Sequence, residues 1–202
     1  MTGNPLEGLA QELQRLPSIG PKSALRMAFF FLSLSKGEVA KFVNVLTDTR
    51  ARIRYCTKCF NISFTEVCGI CNDLRRVEAQ LCIVAEPRDV FAIERIGEYK
   101  GLYHVLGGLI SPIDNIHPET LRIQELIARL EAGGVSEIIL AINPTIEGDA
   151  TLLYLKKIIQ KFKIKKTKLA HGLPVGSDID YADEITLQKA FVGRTEIDND
   201  NS

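Results

Sequence analysis

The sequence has no tryptophan, two methionines and three histidines in 202 residues, and its 25 basic residues are matched by 25 acidic ones. A formal charge of zero excludes a protein that holds nucleic acid by bulk positive potential, as a histone-like protein does. No run approaches the roughly 18 apolar residues of a membrane span. The start also lacks a basic stretch leading into an apolar core and cleavage site, so a cytoplasmic protein without membrane contact is expected. What is present, 46% hydrophobic and 25% charged residues, is the composition of a globular chain. The length suits one ordinary domain or two to three small modules. Charge is unevenly spread: positions 1–80 carry 11 basic and 7 acidic residues, net +4, and positions 81–202 carry 14 and 18, net −4. A phosphate-binding surface is therefore expected in the first half.

Leu6, Leu9, Ala10 and Leu13 repeat at helical spacing, and the helix they imply ends near Pro17. Pro21 suits a first helical position and opens a second helix through Ala24, Leu25, Ala28 and Phe29. Ser35 and Glu38 have capping-box spacing ahead of Val39, Phe42, Val43 and Leu46, which predicts a third helix to about Arg54. From Leu81 onward short apolar runs (81–85, 103–106, 137–142 and 168–170) alternate with helical segments (88–96, 119–132, 149–162 and 182–192). That alternation implies parallel strands with helical crossovers, an α/β layer. Gly97 and Gly133-Gly134 are expected helix stops and Pro118 a helix start, while the polar tail after Arg194 is expected to fray.

Four of the five cysteines, Cys56, Cys59, Cys68 and Cys71, form C-x2-C, eight residues, C-x2-C. Two tight turns at this spacing can present four thiolates tetrahedrally to one soft cation, and zinc is the expected metal, one per chain. Four sulfur ligands leave no open coordination position, so the metal is structural and a ribbon this small depends on it. Cys82 stands alone in an apolar run and reads as a small buried hydrophobe.

Leu16-Pro17-Ser18-Ile19-Gly20-Pro21-Lys22-Ser23-Ala24 lies between two short helices, the layout of a helix-hairpin-helix. A tight turn ending in Gly20 exposes N–H groups at a helix start, where backbone and dipole together cradle a phosphate without reading sequence. Ile19 is expected to pack inward, and Lys22 and Arg26, four apart, to add charge-assisted phosphate contacts. Such motifs usually have glycine where this chain has Ser18, a less permissive residue for the turn.

In an open parallel sheet, ligands bind beyond the carboxyl ends of the strands. Glu86 and Asp89 follow the first apolar run, and Glu147 and Asp149 follow Ile142 in Asn143-Pro144-Thr145-Ile146-Glu147-Gly148-Asp149. These four acids form an expected crevice that holds a weak magnesium ion or docks a partner. The alternative is helix capping at Asp89 and Asp149.

The order of hairpin, cysteine quartet and strand-end Glu86 resembles the RecR family of bacterial recombination proteins over nearly the whole chain. The stretches that carry the likeness include Tyr103-His104-Val105-Leu106-Gly107-Gly108, Ile110-Ser111-Pro112, Asn143 to Thr151, Gly172-Leu173-Pro174-Val175-Gly176 and Ala182-Asp183-Glu184. The resemblance implies an α+β multi-module fold: an N-terminal helix-hairpin-helix, a four-cysteine zinc ribbon and an α/β Toprim domain with a parallel-type sheet. The expected boundaries are 1–54 for the DNA-binding hairpin region, 55–76 for the ribbon, 77–195 for the Toprim domain and C-terminal region, and 196–202 for the tail. It further implies a DNA-binding ring or clamp, a homotetramer that acts with RecO and RecF to load RecA on gapped DNA.

Two departures bear on activity. A catalytic Toprim domain pairs its glutamate with Asp-x-Asp, whereas the match here places Asn143 and Thr145 at those positions. Neutral ligands weaken magnesium binding, so no enzymatic activity is expected; the alternative is a metal-dependent Toprim nuclease, primase or topoisomerase. His171 stands where the family usually has arginine, and the five tyrosines offer no recognisable nucleophile setting. Gly172 to Gly176 lacks the Gly-Lys-Ser/Thr ending of a phosphate-binding loop, so ATP hydrolysis is not expected. His104 and His117 read as structural, and the lysines from Lys156 to Lys168 read as a solvated helix end and loop, with partner or DNA contact as the other reading.

Overall fold

The computed structural model describes residues 4–195, which divide between Ile53 and Arg54 into two compact units. The expected polar tail, 196–202, lies outside the described residues.

The first unit holds three helices. Helix α1 (Pro5–Gln14) starts on Asn4, whose side chain accepts the Leu6 N–H at 3.1 Å. Helix α2 (Pro21–Ser33) starts on Gly20 without a side-chain cap. Helix α3 (Lys36–Arg52) opens on the expected capping box, in which Ser35 N–H donates to Glu38 at 2.8 Å and Glu38 N–H to the Ser35 hydroxyl at 3.3 Å. Ala10, Ala24 and Ala28 form a small buried core with Leu6, Leu13 and Ile19 against it. Small residues here allow α1 and α2 to approach closely, but they bury little apolar area. Helix α3 buries no residue at all, and Phe42, Val43, Val45 and Leu46 remain exposed.

The second unit begins with a two-strand antiparallel ribbon, β1 (Arg54–Tyr55) and β2 (Ile62–Ser63), followed by a four-stranded sheet. Strands β3 (Val77–Val84), β4 (Gly101–Val105), β5 (Glu137–Ala141) and β6 (Lys165–Lys168) pair in the order β4-β3-β5-β6, every pair parallel. Helices α4 (Pro87–Ile96), α5 (Ile123–Glu131) and α6 (Ile146–Ile159) connect them, and α7 (Glu184–Val192) follows. Strand side chains alternate in direction, so the central strand feeds two cores. Leu81, Ile83 and Ala85 join Leu126, Leu130, Leu155 and Ile159 on one side, while Cys82 and Val84 join Val90, Tyr103 and Val105 on the other. Cys82 is the buried hydrophobe expected, its thiol pushed up to about 12 by desolvation.

Several expected elements differ in extent, among them β3, which begins at Val77 and not at residue 81. The last strand is Lys165–Lys168 and not 168–170, because main-chain pairing with Glu137–Leu140, rather than apolar content, defines this outer strand. The helix expected over 119–132 is a single turn at Pro118–Thr120 followed by α5. Between them Leu121 is extended (φ −95°, ψ 160°) and buries its side chain against the core. Helix α6 starts three residues before 149, capped by Thr145, whose hydroxyl accepts the Gly148 N–H at 3.1 Å. Gly97, Gly133 and Gly134 stop their helices at positive φ, as expected.

Candidate metal centre and nucleic-acid interface

Cys56 leaves β1, Cys59 closes the first turn, and Cys68 and Cys71 flank the second. Cys56 N–H donates to the Asn61 carbonyl at 2.8 Å and Phe60 N–H to the Cys56 carbonyl at 2.9 Å, which folds the first knuckle tightly. Phe60 takes a left-handed φ of 62° to complete it. The four sulfurs lie within 4.8 Å of one another, and Cys59 and Cys68 Sγ are 3.6 Å apart. A tetrahedral site with metal–sulfur distances of about 2.3 Å has sulfur–sulfur edges of about 3.8 Å, so the quartet fits a single soft dication. Cys68 N–H donates to Cys56 Sγ at 3.3 Å and Cys71 N–H to Cys68 Sγ at 3.5 Å, contacts that favour thiolates. Hydrogen bonds from the Cys59 and Cys71 thiols hold Cys68 far below the ordinary thiol value; the contact with Cys68 pushes Cys59 far above it. Crowded thiols thus release one proton readily and resist losing the next. A bound dication would offset two of the four thiolate charges and so lower that resistance.

The knuckle is tied to the sheet by residues that sequence pattern did not single out. Val105 N–H donates to the Cys59 carbonyl at 2.8 Å. Arg129 on α5 reaches the Tyr103 carbonyl at 2.7 Å and the Lys58 carbonyl at 3.4 Å. Arg122 stacks its guanidinium 5.1 Å from the Phe60 ring centre, and Phe60 meets His104 edge-on at 5.4 Å. His104 is fully buried, with Nε2 2.7 Å from the Arg122 carbonyl, and desolvation lowers its pKa to about 4. It is structural, as expected. No local signal marks Arg129, because its partner Lys58 lies 71 positions away.

In the hairpin, Ile19 N–H donates to the Leu16 carbonyl at 3.2 Å and Ala24 N–H to the Gly20 carbonyl at 3.0 Å. Ser18 supplies the left-handed residue of the turn at φ 65°. Ile19 packs on the Ala10, Ala24 and Ala28 core, while Lys22 and Arg26 are exposed. Among the described residues the N–H groups of Gly20, Lys22 and Ser23 have no intramolecular acceptor. The motif therefore presents three free donors and two cations within the first turns of one helix, a geometry suited to an anionic oxygen.

The acidic strand ends are less coherent than expected. Among the described residues, the cysteine quartet is the group of three or more potential metal ligands that converges. Glu86 pairs with Arg88 at 2.7 Å and lines a cleft of about 380 Å³ with Phe60, Gly107 and Arg122. Asp89 accepts the Glu86 N–H at 2.8 Å, so it does cap α4. Asp149 is not the cap of α6, since Thr145 fills that role, and it lines a different cleft with Lys156 and Lys168. Glu147 is half-buried in the first turn of α6. Glu86 thus carries an ion pair and Asp89 a capping contact, while Glu147 sits in the first turn of α6 and Asp149 lines a cleft with lysines.

A hairpin with free N–H donors, a four-thiol cluster and a parallel sheet with glutamate at its first strand end make this a multi-module α+β protein with a candidate anion-binding turn. Comparison with known families agrees: the Toprim domain matches residues 79–170, the RecR helix-hairpin-helix residues 6–50 and the RecR C-terminal region residues 172–195. Recombination protein RecR of Clavibacter michiganensis subsp. michiganensis is 52% identical, over 94% of this chain and 95% of its own. That of Streptomyces coelicolor is 50% identical over 96% and 97%. The chain belongs to the RecR family of recombination proteins. Among the described residues no helix is long and apolar enough to cross a membrane.

Proposed function

We propose that this protein is a sequence-independent DNA clamp for recombinational repair, a cytoplasmic homotetramer that works with RecO and RecF to load RecA on gapped DNA and catalyses no reaction itself. The observation that carries the DNA contact is the hairpin, where the unpaired N–H groups of Gly20, Lys22 and Ser23 adjoin the exposed Lys22 and Arg26. Donors on backbone and lysine position a phosphate but read no base. Self-association is supported by the exposed apolar side chains of α2 and α3 in the first unit, among them Phe29, Phe30, Phe42 and Leu46.

Within this proposal 1–54 is the DNA-binding region, 55–76 a ribbon and 77–195 the Toprim and C-terminal region. Cys56, Cys59, Cys68 and Cys71 hold one zinc ion, which when bound supplies cross-linking and charge compensation and leaves no site for a substrate. The ribbon's own residues, Phe60 and the Cys59 carbonyl, then brace the end of β4 beside Glu86. The non-catalytic assignment is supported by the scattered acids, since metal-assisted phosphoryl transfer needs carboxylates converging on magnesium. Glu86, Asp89, Glu147 and Asp149 serve docking or weak cation contact instead.

The test is Lys22→Glu with Arg26→Glu. Affinity should fall equally for unrelated DNA sequences, and the salt dependence on duplex should weaken by about 0.9 per lost phosphate contact. Unchanged affinity in a folded double variant refutes the hairpin as the DNA site. Magnesium-dependent cleavage, priming or relaxation of DNA by purified protein, abolished by Glu86→Ala, refutes the non-catalytic assignment.

A further inference from the structure

From Ala150 to Ser177 the chain carries seven lysines and no aspartate or glutamate, although it is formally neutral overall. The fold gathers part of this run at one place. Lys156 on α6 meets Lys166 and Lys168 on β6 around a cleft of about 550 Å³. Strand β6 is the outermost in the sheet, with β5 on one side only, so no further strand of this sheet covers the cleft.

Two of the other four lysines of the run are neutralised by carboxylates, and Lys157 and Lys163 form no ion pair among the described residues. Lys161 pairs with Glu131 at 2.9 Å and Lys165 with Glu137 at 3.1 Å. Lys156 and Lys168 form no ion pair among the described residues, and Lys166 donates to the Phe162 and Ile164 carbonyls at 2.6 and 3.0 Å, dipoles that hold the ammonium without cancelling its charge. Asp149 is the one carboxylate on the rim, leaving three cations against one anion. At about 0.1 M salt the screening length is roughly 10 Å, so charges around a single cleft repel one another, and a polyanion relieves that repulsion. The neighbouring cleft shares Asp149 and Lys168 and adds Lys189, a further cation beside the rim.

The chemistry also indicates the ligand. Ammonium groups are compact, strongly hydrated point charges suited to phosphate, without the planar fork that reads a base edge. No aromatic side chain lines the cleft, so it has no platform on which a base can stack. We propose that Lys156, Lys166 and Lys168, brought together at the open edge of the sheet, form a second, sequence-independent contact for DNA backbone phosphates, additional to the hairpin. This rests on the protein binding DNA.

The experiment measures binding of labelled duplex and single-stranded oligonucleotides to the full zinc-containing protein by fluorescence anisotropy across a potassium chloride series. With Lys156→Glu and Lys168→Glu, the slope of log affinity against log salt on duplex should fall by about 1.8, two contacts at about 0.9 each, equally for unrelated sequences. Lys156→Arg with Lys168→Arg should retain wild-type binding. Lys156→Gln with Lys168→Gln, which adds no negative charge, should show the same loss of slope and guards against misfolding of the reversal variant. An unchanged slope in the glutamine pair, with wild-type circular dichroism and zinc content, overturns the proposal. Lys22→Glu with Arg26→Glu, run in parallel, separates the two sites. Loss there with none at the cleft leaves the hairpin standing and ends the second site; loss at the cleft alone supports the second site and ends the hairpin assignment.

Discussion

Ser18→Gly should stabilise the hairpin unit. Ser18 holds φ at 65°, the left-handed region in which a side chain crowds its own backbone, at a cost of about 1–2 kcal/mol for residues other than glycine. Its side chain is exposed and makes no hydrogen bond among the described residues, so little is lost by removing it. Glycine returns about 0.5–1 kcal/mol of that gain through the larger entropy of its unfolded chain. The net is a stabilisation of about 0.5–1 kcal/mol, roughly two- to fivefold in the folded-to-unfolded ratio. Because the chain has no tryptophan, the measurement that isolates this unit is native-state hydrogen exchange. The Ala24 amide, bonded to the Gly20 carbonyl at 3.0 Å, reports the first turn of α2. Protection there should rise by the same two- to fivefold, while DNA affinity stays within about twofold because the turn is already formed. Ser18→Val should do the reverse, a β-branched residue tolerating positive φ worst. Lower protection in the glycine variant, or an equal gain with Ser18→Ala, refutes the backbone-strain account.

Metal analysis of protein purified without chelator should give one zinc per chain, and Cys68→Ser should abolish binding and cost several of the roughly 10 kcal/mol that couple such sites to folding. Gly148→Ala places a Cβ 1.9 Å from the Asn143 carbonyl oxygen; it should lower urea stability by about 1–3 kcal/mol with DNA binding at the hairpin intact. His104 has a folded pKa near 4 because burial disfavours its cation, so between about pH 6.5 and 4 the unfolded chain binds more protons and stability falls with pH. The loss should be about 2 kcal/mol on going from pH 7.5 to 5, and His104→Gln should lack that component in urea titrations.

Local pattern carried much of this fold. Apolar spacing located α1 to α3, glycines marked the helix ends, and four cysteines announced the ribbon, because each signal is set within a turn or two of chain. The misreadings share a cause in tertiary context. Lys165–Lys168 is a strand through its partner Glu137–Leu140, not through its own side chains. Leu121 breaks the helix pattern because the core takes its side chain. The acids near Glu86 looked like one crevice on sequence, but which carboxylate caps and which faces a cleft depends on the backbone around Thr145 and Asp89. Arg122 and Arg129 gave no signal because their roles are contacts with a distant ribbon.

Helix α3 has the capping of an independent helix yet buries none of its residues, and Phe31 of α2 meets Phe42 with ring centres 5.2 Å apart at the edge of an open apolar surface. An element in that condition draws its stability from whatever covers it, so mass action enters the folding equilibrium. Thermal midpoints should then climb with protein concentration, and dilution alone should loosen the helices that carry the hairpin. On the proposed self-association, assembly and the hairpin's capacity to hold a phosphate would be one equilibrium.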